Sequence, residues 1–498
     1  MRDHTPITID QFMGLWAKGD IESTPLDHFS DCVNLQFVGD GIASRDGIRR
    51  HQDIASPLTH ILRMYNYPTS DKNTLIVLTA GGNIYHVVDK TTIFGPILTI
   101  PTMEDFGFVP YSGRGYITPF KTELVGGLNR ERGLQNEYVY VYKGDGTAAR
   151  RAAGAGPTTA LSVVNGGAGL TDAGTHIFGY VYETDTGYLS KPGGLFVFST
   201  VANLSLNFSA VAVSPDAFVT KRHIVASKVI QAYDGNINGY QLFFIPGATI
   251  PNNVGTVLNG ISFFDADLLL DASHLLDNFD KIPAGVGLTS YHNRLISFGE
   301  FDNISVVRAS FAGEPEAVSQ VDGLMLVPPD GNPLTNAAEL RDVLYVTKRN
   351  KTVSFVDNGD FPASWPLTVV DNGMGAGVHS IATVLDAGST NIDYLLVGAY
   401  KGITLFNGTF LLPELTFKIQ SYWLAQNFKN DYRRIQIVND TVNQFLYMVT
   451  TSRDVLYADY SHGLDPKNIR WCPWTFDTKV NTLALVNVNE LLLGMDQV

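Results

Sequence analysis

The chain has 498 residues, 45% hydrophobic and 17% charged, which excludes a disordered protein and leaves enough apolar surface for one or more packed cores. Lys plus Arg number 35 against 49 Asp plus Glu, and the net charge of −14 argues against a protein that grips nucleic acid by broad phosphate neutralisation, although a local basic patch stays compatible with it. Two cysteines at opposite ends, Cys32 and Cys472, exclude a disulfide framework and read as buried free thiols.

The N-terminus reads Met1, Arg2, Asp3, His4 with no apolar leader before Gly14, and no apolar run approaches the ~18 residues of a membrane span. A soluble protein made in a reducing cytoplasm is the expectation. The 47 Gly, 23 Pro, 22 Tyr and 28 Phe suit a β-rich chain with recurrent turns and aromatic strand positions.

In chain order, the first strand signal is 33–38 (VNLQFV), which has no local partner. A hairpin follows, 74–79 with 84–88 across Gly81-Gly82, and further hairpin starts fall near Phe106 (FGFVPYSGRGYIT) and Tyr138 (YVYVY). From 154–157 the character changes. The run 177–183 (IFGYVYE) alternates aromatic residues at Phe178, Tyr180 and Tyr182, and strands are predicted over 204–208, 221–226 and 240–245, with turns at Asp234-Gly235 and Asn238-Gly239. Hairpins resume at 295–298 with 304–307, and return at 343–347 with 353–356, 394–397 with 403–406, and 445–449 with 455–457. A last strand signal, 482–493, is again unpartnered, so the two chain ends are expected to share one sheet and close the fold, leaving no exposed edges.

The later hairpins begin near 295, 343, 394 and 445, spacings of 48, 51 and 51 residues. Periods of 40–50 residues with several strands each mark propeller blades, whereas helical repeats would show a 3.6-residue rhythm. The predicted fold is therefore all-β: a β-propeller of about six to eight blades, interrupted by an immunoglobulin- or fibronectin-like β-sandwich. The domain boundaries are 1–156 for the N-terminal part of the propeller, 157–280 for the inserted sandwich and 281–498 for the C-terminal part. An irregular extension of the propeller sheet is the alternative for the insert.

The segment 9–47 resembles the opening of the tail nozzle proteins, or tail tubular protein B, of short-tailed bacteriophages. Ser30, Asp31, Cys32, Asn34 and Phe37 fit that family's S-D-C-x-N-x-x-F-x-x-G-x-x-x-R-x-G pattern, and Gly41, Arg45 and Gly47 fit its G-x-x-x-R-x-G end with one extra residue after Phe37. The runs 106–118 and 136–151 look like its next blade, 219–227 (VTKRHIVAS) like a strand of its inserted sandwich, and 291–310 followed by Gly313, Glu314 and Pro315 like the blade that resumes. The resemblance implies a structural virion protein, a homohexameric ring below the portal and its adaptor. Such a ring lines the distal DNA-exit channel and offers attachment for tail fibres or spikes. It also implies that viral double-stranded DNA passes without sequence-specific contact, that the protein does not insert in a membrane, and that it resides in the short tail of the virion after assembly in the host cytoplasm. An acidic wall fits that role, because it repels phosphate while confining it. A stand-alone protein-binding propeller and a propeller glycosidase or sialidase are the alternatives.

No catalytic residue, metal ligand or cofactor is assigned. The sialidase box S-x-D-x-G-x-T-W has no intact copy; in 354–359 (SFVDNG) the acid comes one place late and Trp365 is too far on. The acids Asp265, Asp267, Asp271, Asp277 and Asp280 around His274 lack the spacing of a calcium loop and read as a solvated turn. The Gly-Gly pairs at 81, 126, 166 and 193 read as turns. Phosphate-loop, zinc-protease, serine-hydrolase and C-x-x-C patterns are absent. Basic residues gather at Arg114, Lys121, Arg130 and Arg132 and at Lys348, Arg349 and Lys351; both groups are expected at solvated hairpin tips, with a facing acidic subunit or DNA as the alternative.

Overall fold

The computed structural model of the chain describes residues 12–17, 25, 28–45, 47, 57–69, 72–125, 128–253, 255–270, 282–385, 393–428, 435–487 and 490–496. Nearly every regular element is an antiparallel strand; the one α-helix among the described residues is the short Gln420–Ala425.

Among the described residues outside the insert there are eight sheets: a separate two-stranded one, Leu35–Val38 with Gly41–Ser44, and seven others, each opening on its innermost strand. They are sheet 1 (from Ile61–Pro68), sheet 2 (from Asp105–Tyr111), sheet 3 (from Gly287–Tyr291), sheet 4 (from Leu334–Leu340), sheet 5 (from Ile381–Leu385), sheet 6 (from Ile437–Asp440) and sheet 7 (Val480–Asn487 with Glu490–Met495). Sheets 1 to 6 each run as a meander of four strands along their main path, while sheet 7 has two. The predicted hairpins supply the second and third strands of sheets 1, 3, 4, 5 and 6, and the signals near Phe106 and Tyr138 fall within the single sheet 2.

The opening strands run in a circle, sheet 1 against sheet 2 and so on to sheet 7, which returns to sheet 1; between sheets 4 and 5 the contact is made by the second strand of sheet 5, Asp393–Ala399. Strand alternation explains why. Each sheet points one set of apolar residues at each neighbour: Leu395, Val397 and Phe406 of sheet 5 join Leu340 of sheet 4, while Leu396 and Ile403 of the same hairpin join Leu446 and Tyr457 of sheet 6. Met64, Leu75 and Val77 of sheet 1 meet Ala484 and Val486 of sheet 7, so the last sheet is buried on the first. Where the inner strands of sheets 2 and 3 pass closest, a Cβ on Gly107 would lie 2.8 Å from the Gly287 Cα, so a larger residue would force them apart.

The two chain ends do not share a sheet as expected. Leu35–Val38 pairs with Gly41–Ser44, and Val480–Asn487 pairs with Glu490–Met495. The N-terminal segment instead lies along the outer strand of sheet 6, Arg470–Trp474, with Asn34 N–H donating to the Pro473 carbonyl at 2.9 Å and Leu15 N–H to that of Trp471 at 3.0 Å. Its anchor is apolar, because Leu15, Cys32 and Phe37 are buried in the cluster of sheets 5 and 6.

Between sheets 2 and 3 the chain forms two further sheets. One holds Ser162–Thr171, Leu204–Ser209 and Leu258–Ile261; the other holds Gly193–Thr200, Gly174–Thr184, Val219–Ala226 and Phe243–Pro251. They share one core in which Phe178, Tyr180 and Ile224 of the second sheet meet Leu206 and Phe208 of the first. Arg222, fully buried, donates to the carbonyls of Pro251 (2.7 Å), Val211 and Gly255 and so ties down three connections at once. The chain leaves and re-enters the circle at one point, since Ala152 N–H donates to the Val139 carbonyl (2.8 Å) and Val139 N–H to that of Ile282 (2.9 Å).

Candidate functional site

The opening strands converge on a central cavity of about 360 Å³ lined by Tyr65, Asn66, Phe108, Asn336, His379 and Gln436 among others. One side of it is a buried polar network. Arg63 of sheet 1 makes two hydrogen bonds to Asp105 of sheet 2, at 2.9 and 2.6 Å, and a third to Gln436 Oε1 beside sheet 6, at 3.0 Å. Gln436 Oε1 also accepts from Thr482 and from the Leu483 N–H of sheet 7, at 2.9 and 3.1 Å. On the other flank, His379 ahead of sheet 5 lies 3.2 Å from Asp105 and 2.8 Å from the Tyr65 hydroxyl, which is also 3.0 Å from the Phe106 carbonyl. A tautomer protonated at Nε2 donates to Asp105, and the single Tyr65 hydroxyl proton is then shared between the Phe106 carbonyl and His379 Nδ1.

An acid–imidazole–hydroxyl chain can serve nucleophilic catalysis, so the directions of the pKa shifts matter. Burial works against the Asp105 carboxylate, but Arg63 and His379 outweigh it and hold its pKa well below the usual range. Burial and the Arg63 charge keep His379 below the ordinary imidazole value in spite of Asp105, and burial lifts Tyr65 above the usual phenol range. An activated nucleophile needs the opposite shift at Tyr65. The arrangement does the work of a joint: six side chains on or beside sheets 1, 2, 5, 6 and 7 cross-brace the centre.

One end of the centre is capped by the long second strand of sheet 2, Arg114–Val125, whose Phe120 ring lies 5.8 Å from His379 and is buried with Val286 and Val378. Its far half pairs with Leu128–Gly133, which reaches past sheet 3 to sheet 4. The basic residues are taken up by acids and carbonyls on this hairpin and around sheet 4, so the expectation of solvated tips is corrected. Arg349, 8% exposed, pairs with fully buried Glu131 at 2.8 Å; Lys348, 1% exposed, pairs with Asp330 at 2.8 Å, and Lys351 lies 3.8 Å from the same carboxylate. Arg130 donates to the Gly331 carbonyl, Lys121 pairs with Glu123 at 2.7 Å, and Arg132 lies 3.9 Å from Glu123 and 5.8 Å from the Phe301 ring centre. Arg349–Glu131 and Arg130–Gly331 join the hairpin of sheet 2 to sheet 4 and the loop ahead of it, so residues at a hairpin tip in sequence are here inter-sheet contacts.

Arg114 belongs to a second joint, between the circle and the insert. Phe218 of the insert is surrounded by Lys143 (4.1 Å from the ring centre), Arg150 (4.3 Å) and Arg114 (5.5 Å) of sheet 2. The same cations pair with acids: Arg114 and Lys143 with Asp185 at 2.8 and 3.1 Å, and Arg150 with Glu316 of sheet 3 at 2.8 Å. Arg114 and Lys143 outweigh the desolvation of Asp185 and hold its pKa below the usual carboxylate value.

The residues of the N-terminal pattern fall together. Asn34, with φ at +59°, accepts from Thr475 N–H (2.8 Å) and donates to its hydroxyl (3.0 Å); Phe37 stacks on Tyr457; Arg45 sits over Phe476 at 4.5 Å. Of the acid cluster, Asp265 accepts from Val229 N–H at 2.7 Å and Asp267 from Phe264 N–H at 2.9 Å, while Asp271, Asp277, Asp280 and His274 lie outside the described residues. Asp357 pairs with His292 at 3.1 Å, and Trp365 is buried between sheets 3 and 4. Among the described residues, the one trio of His and acids able to share an ion, His292, Glu339 and Asp342, is exposed. No helix of the described residues is long and apolar enough to cross a membrane.

No family model and no curated protein matches the chain. Among solved structures it is similar to the computationally designed Ika8 protein (TM-score 0.33, 8% identity, 90% of this chain and 96% of that one). It is also similar to the WD40 domain of SCAP from fission yeast (TM-score 0.28, 7% identity, 85% and 90%) and to Raptor of Chaetomium thermophilum (TM-score 0.27, 11% identity, 65% of this chain and 28% of that one). Likenesses this low carry no weight for function.

Proposed function

We propose that the seven sheets are blades of a β-propeller, that residues 157–280 are a β-sandwich inserted after the second blade, and that the chain is the nozzle subunit of a short phage tail. It acts as a homohexamer below the portal and adaptor and offers a surface to fibres or spikes. The observation that carries this reading is the N-terminal pattern, Ser30 to Gly47, with which the chain resembles the nozzle family. A propeller that merely binds a partner has no need of that pattern.

Two physical features support it. The centre of one copy is bridged by the Arg63–Asp105–Gln436 brace, hydrogen-bonded from sheet 1 to sheet 2 and to the edge of sheet 6, which leaves no room there for a duplex, whose major groove alone is about 12 Å wide. A DNA path must then run between copies, as a closed ring of subunits provides. The net charge of −14 keeps such a wall from holding phosphate. In this reading the chain is not an enzyme, and the Asp105–His379–Tyr65 chain is structural.

The test is the protein content of purified particles of the phage whose genome encodes the chain. Its peptides are expected at about six copies per particle, as a closed cyclic ring requires. Particles that package DNA and infect without any copy of the chain would overturn the proposal.

A further inference from the structure

Two tight turns of neighbouring sheets bring one imidazole among three carboxylates. The first joins Gly287–Tyr291 to Arg294–Phe298 in sheet 3 through His292 and Asn293, and the second joins Leu334–Leu340 to Val343–Lys348 in sheet 4 through Arg341 and Asp342. All four turn residues have positive φ, between +43° and +61°, as a two-residue hairpin turn requires. The Tyr291 hydroxyl ties the two turns together, donating to the Asp342 carbonyl at 2.8 Å and accepting the Asp357 N–H at 3.2 Å. The His292 ring stacks on the same tyrosine with 4.2 Å between ring centres.

One ligand atom from each of His292, Glu339 and Asp342, all exposed, lies within 4.8 Å of the other two. The two nitrogens of His292 have different surroundings. Nδ1 lies 3.1 Å from Asp357 Oδ2, while the other oxygen of Asp357 accepts the Gly359 N–H at 2.8 Å. A carboxylate only accepts, so Nδ1 carries a proton. Nε2 lies 3.7 Å from Asp342 Oδ1, beyond hydrogen-bond reach. In its neutral form the ring therefore turns a lone pair toward a carboxylate. The neighbouring arginines are engaged elsewhere: Arg341 donates to the Asn407 and Asp393 carbonyls of sheet 5 at 3.4 and 2.9 Å, and Arg294 to the Ser310 carbonyl at 2.9 Å.

We propose that His292 Nε2, Glu339 and Asp342 bind a divalent ion of the zinc type, with water in the fourth position, and that the ion clips sheet 3 to sheet 4. The donor set decides the class of metal. One imidazole nitrogen and two carboxylate oxygens make a three-ligand set of the kind that leaves zinc an open position, and an imidazole ligand favours zinc-like ions over calcium or magnesium, which take oxygen. The spacing agrees, because ligand atoms held about 2.0–2.2 Å from one tetrahedral ion stand about 3.3–3.6 Å apart. Asp357 then has the part of the outer carboxylate that fixes the tautomer and the orientation of a metal-binding histidine. The dication also offsets the excess of three carboxylates over one neutral imidazole. Tyr291 holds the frame, so what moves on binding is the exposed Glu339 and Asp342 side chains. The site lies apart from the central brace and does not depend on the nozzle reading.

The experiment strips the purified full chain with a chelator, dialyses it, and titrates it near neutral pH with zinc chloride by calorimetry and with cobalt chloride by visible absorption. One ion per chain is expected, with the absorption of a four-coordinate cobalt site and a thermal midpoint that rises on adding zinc. Glu339→Gln and Asp342→Asn are each expected to weaken zinc binding at least about tenfold and to leave melting of the metal-free protein unchanged, and Asp357→Asn to weaken it about 10–100-fold through the ring orientation. His292→Gln should abolish binding; the two acid variants carry the test where that variant fails to fold. A chain that takes up no zinc, or zinc affinity equal to wild type in both acid variants, would overturn the proposal. Calcium bound as tightly as zinc would overturn the class of metal.

Discussion

Replacing Asp105 by Asn tests the brace at the centre. Asp105 accepts two hydrogen bonds from Arg63 (2.9 and 2.6 Å) and one from the Phe106 N–H (2.8 Å), and lies 3.2 Å from His379. Asn keeps the shape, but it turns an NH2 group toward a guanidinium that is 4% exposed and takes the Asp105 carboxylate away from it. Removing one partner of a buried pair costs about 3–5 kcal/mol, against at most about 1 kcal/mol for an exposed pair. The assay is urea unfolding followed by tryptophan fluorescence, run as a double-mutant cycle with Arg63→Met. The single variants are each expected to lose at least about 3 kcal/mol, and the double variant to lose less than their sum by about 2–3 kcal/mol, the coupling of residues in one network. Additive losses, or a cost for Asp105→Asn below about 1 kcal/mol, would refute the claim that a desolvated charge pair holds sheets 1 and 2 together.

His86, buried between the Tyr142 hydroxyl (2.8 Å) and Thr74 (2.9 Å), is pushed down by burial from 6.5 to about 4. A histidine depressed in the folded state stabilises fully above its unfolded value and loses that stability as pH falls toward the folded one. At about 1.4 kcal/mol per pH unit the loss between pH 7.5 and pH 4 is ~3 kcal/mol, and a His86→Gln variant should show a pH dependence flatter by that amount in parallel urea titrations. Phe218→Ala empties the cation-lined joint, and a loss of about 3–5 kcal/mol is expected, with faster proteolytic cleavage between sheet 2 and the insert than in the wild type. Because Val139 bonds to both Ala152 and Ile282, replacing residues 155–281 by a short Gly-Ser linker should leave a folded, cooperatively melting ring of sheets. Loss of strand circular dichroism beyond that of the removed strands would show that the insert is needed for the ring to fold.

Local patterning was legible. The hairpins at 343–356, 394–406 and 445–457 are the middle strands of sheets 4, 5 and 6, because apolar alternation and a polar turn act within a dozen residues. The change of character after Gly154 marks where the two intervening sheets begin. Contacts between distant segments were not legible. Arg63, Asp105, His379 and Gln436 sit on or beside different opening strands, and nothing local distinguishes them from surface polar residues. The predicted sharing of one sheet by the chain ends failed for the same reason: both ends do carry strands, but 482–493 holds its own hairpin while Asn34 and Phe37 find partners on sheet 6. Arg349 was misread because a turn that is exposed in an isolated hairpin is covered here by the Leu128–Gly133 strand, and Lys348 because its ammonium is buried against Asp330, Ser305 and the Pro328 carbonyl.

The central claim is that this chain joins others of its kind into a ring on a portal and adaptor. The direct measurement is the mass in solution of the purified protein, alone and after mixing with the portal–adaptor complex of the same genome, by light scattering behind a sizing column. The account predicts a gain of about six copies on mixing, or a ring already formed; a monomer that never joins the complex would contradict it and favour a stand-alone propeller.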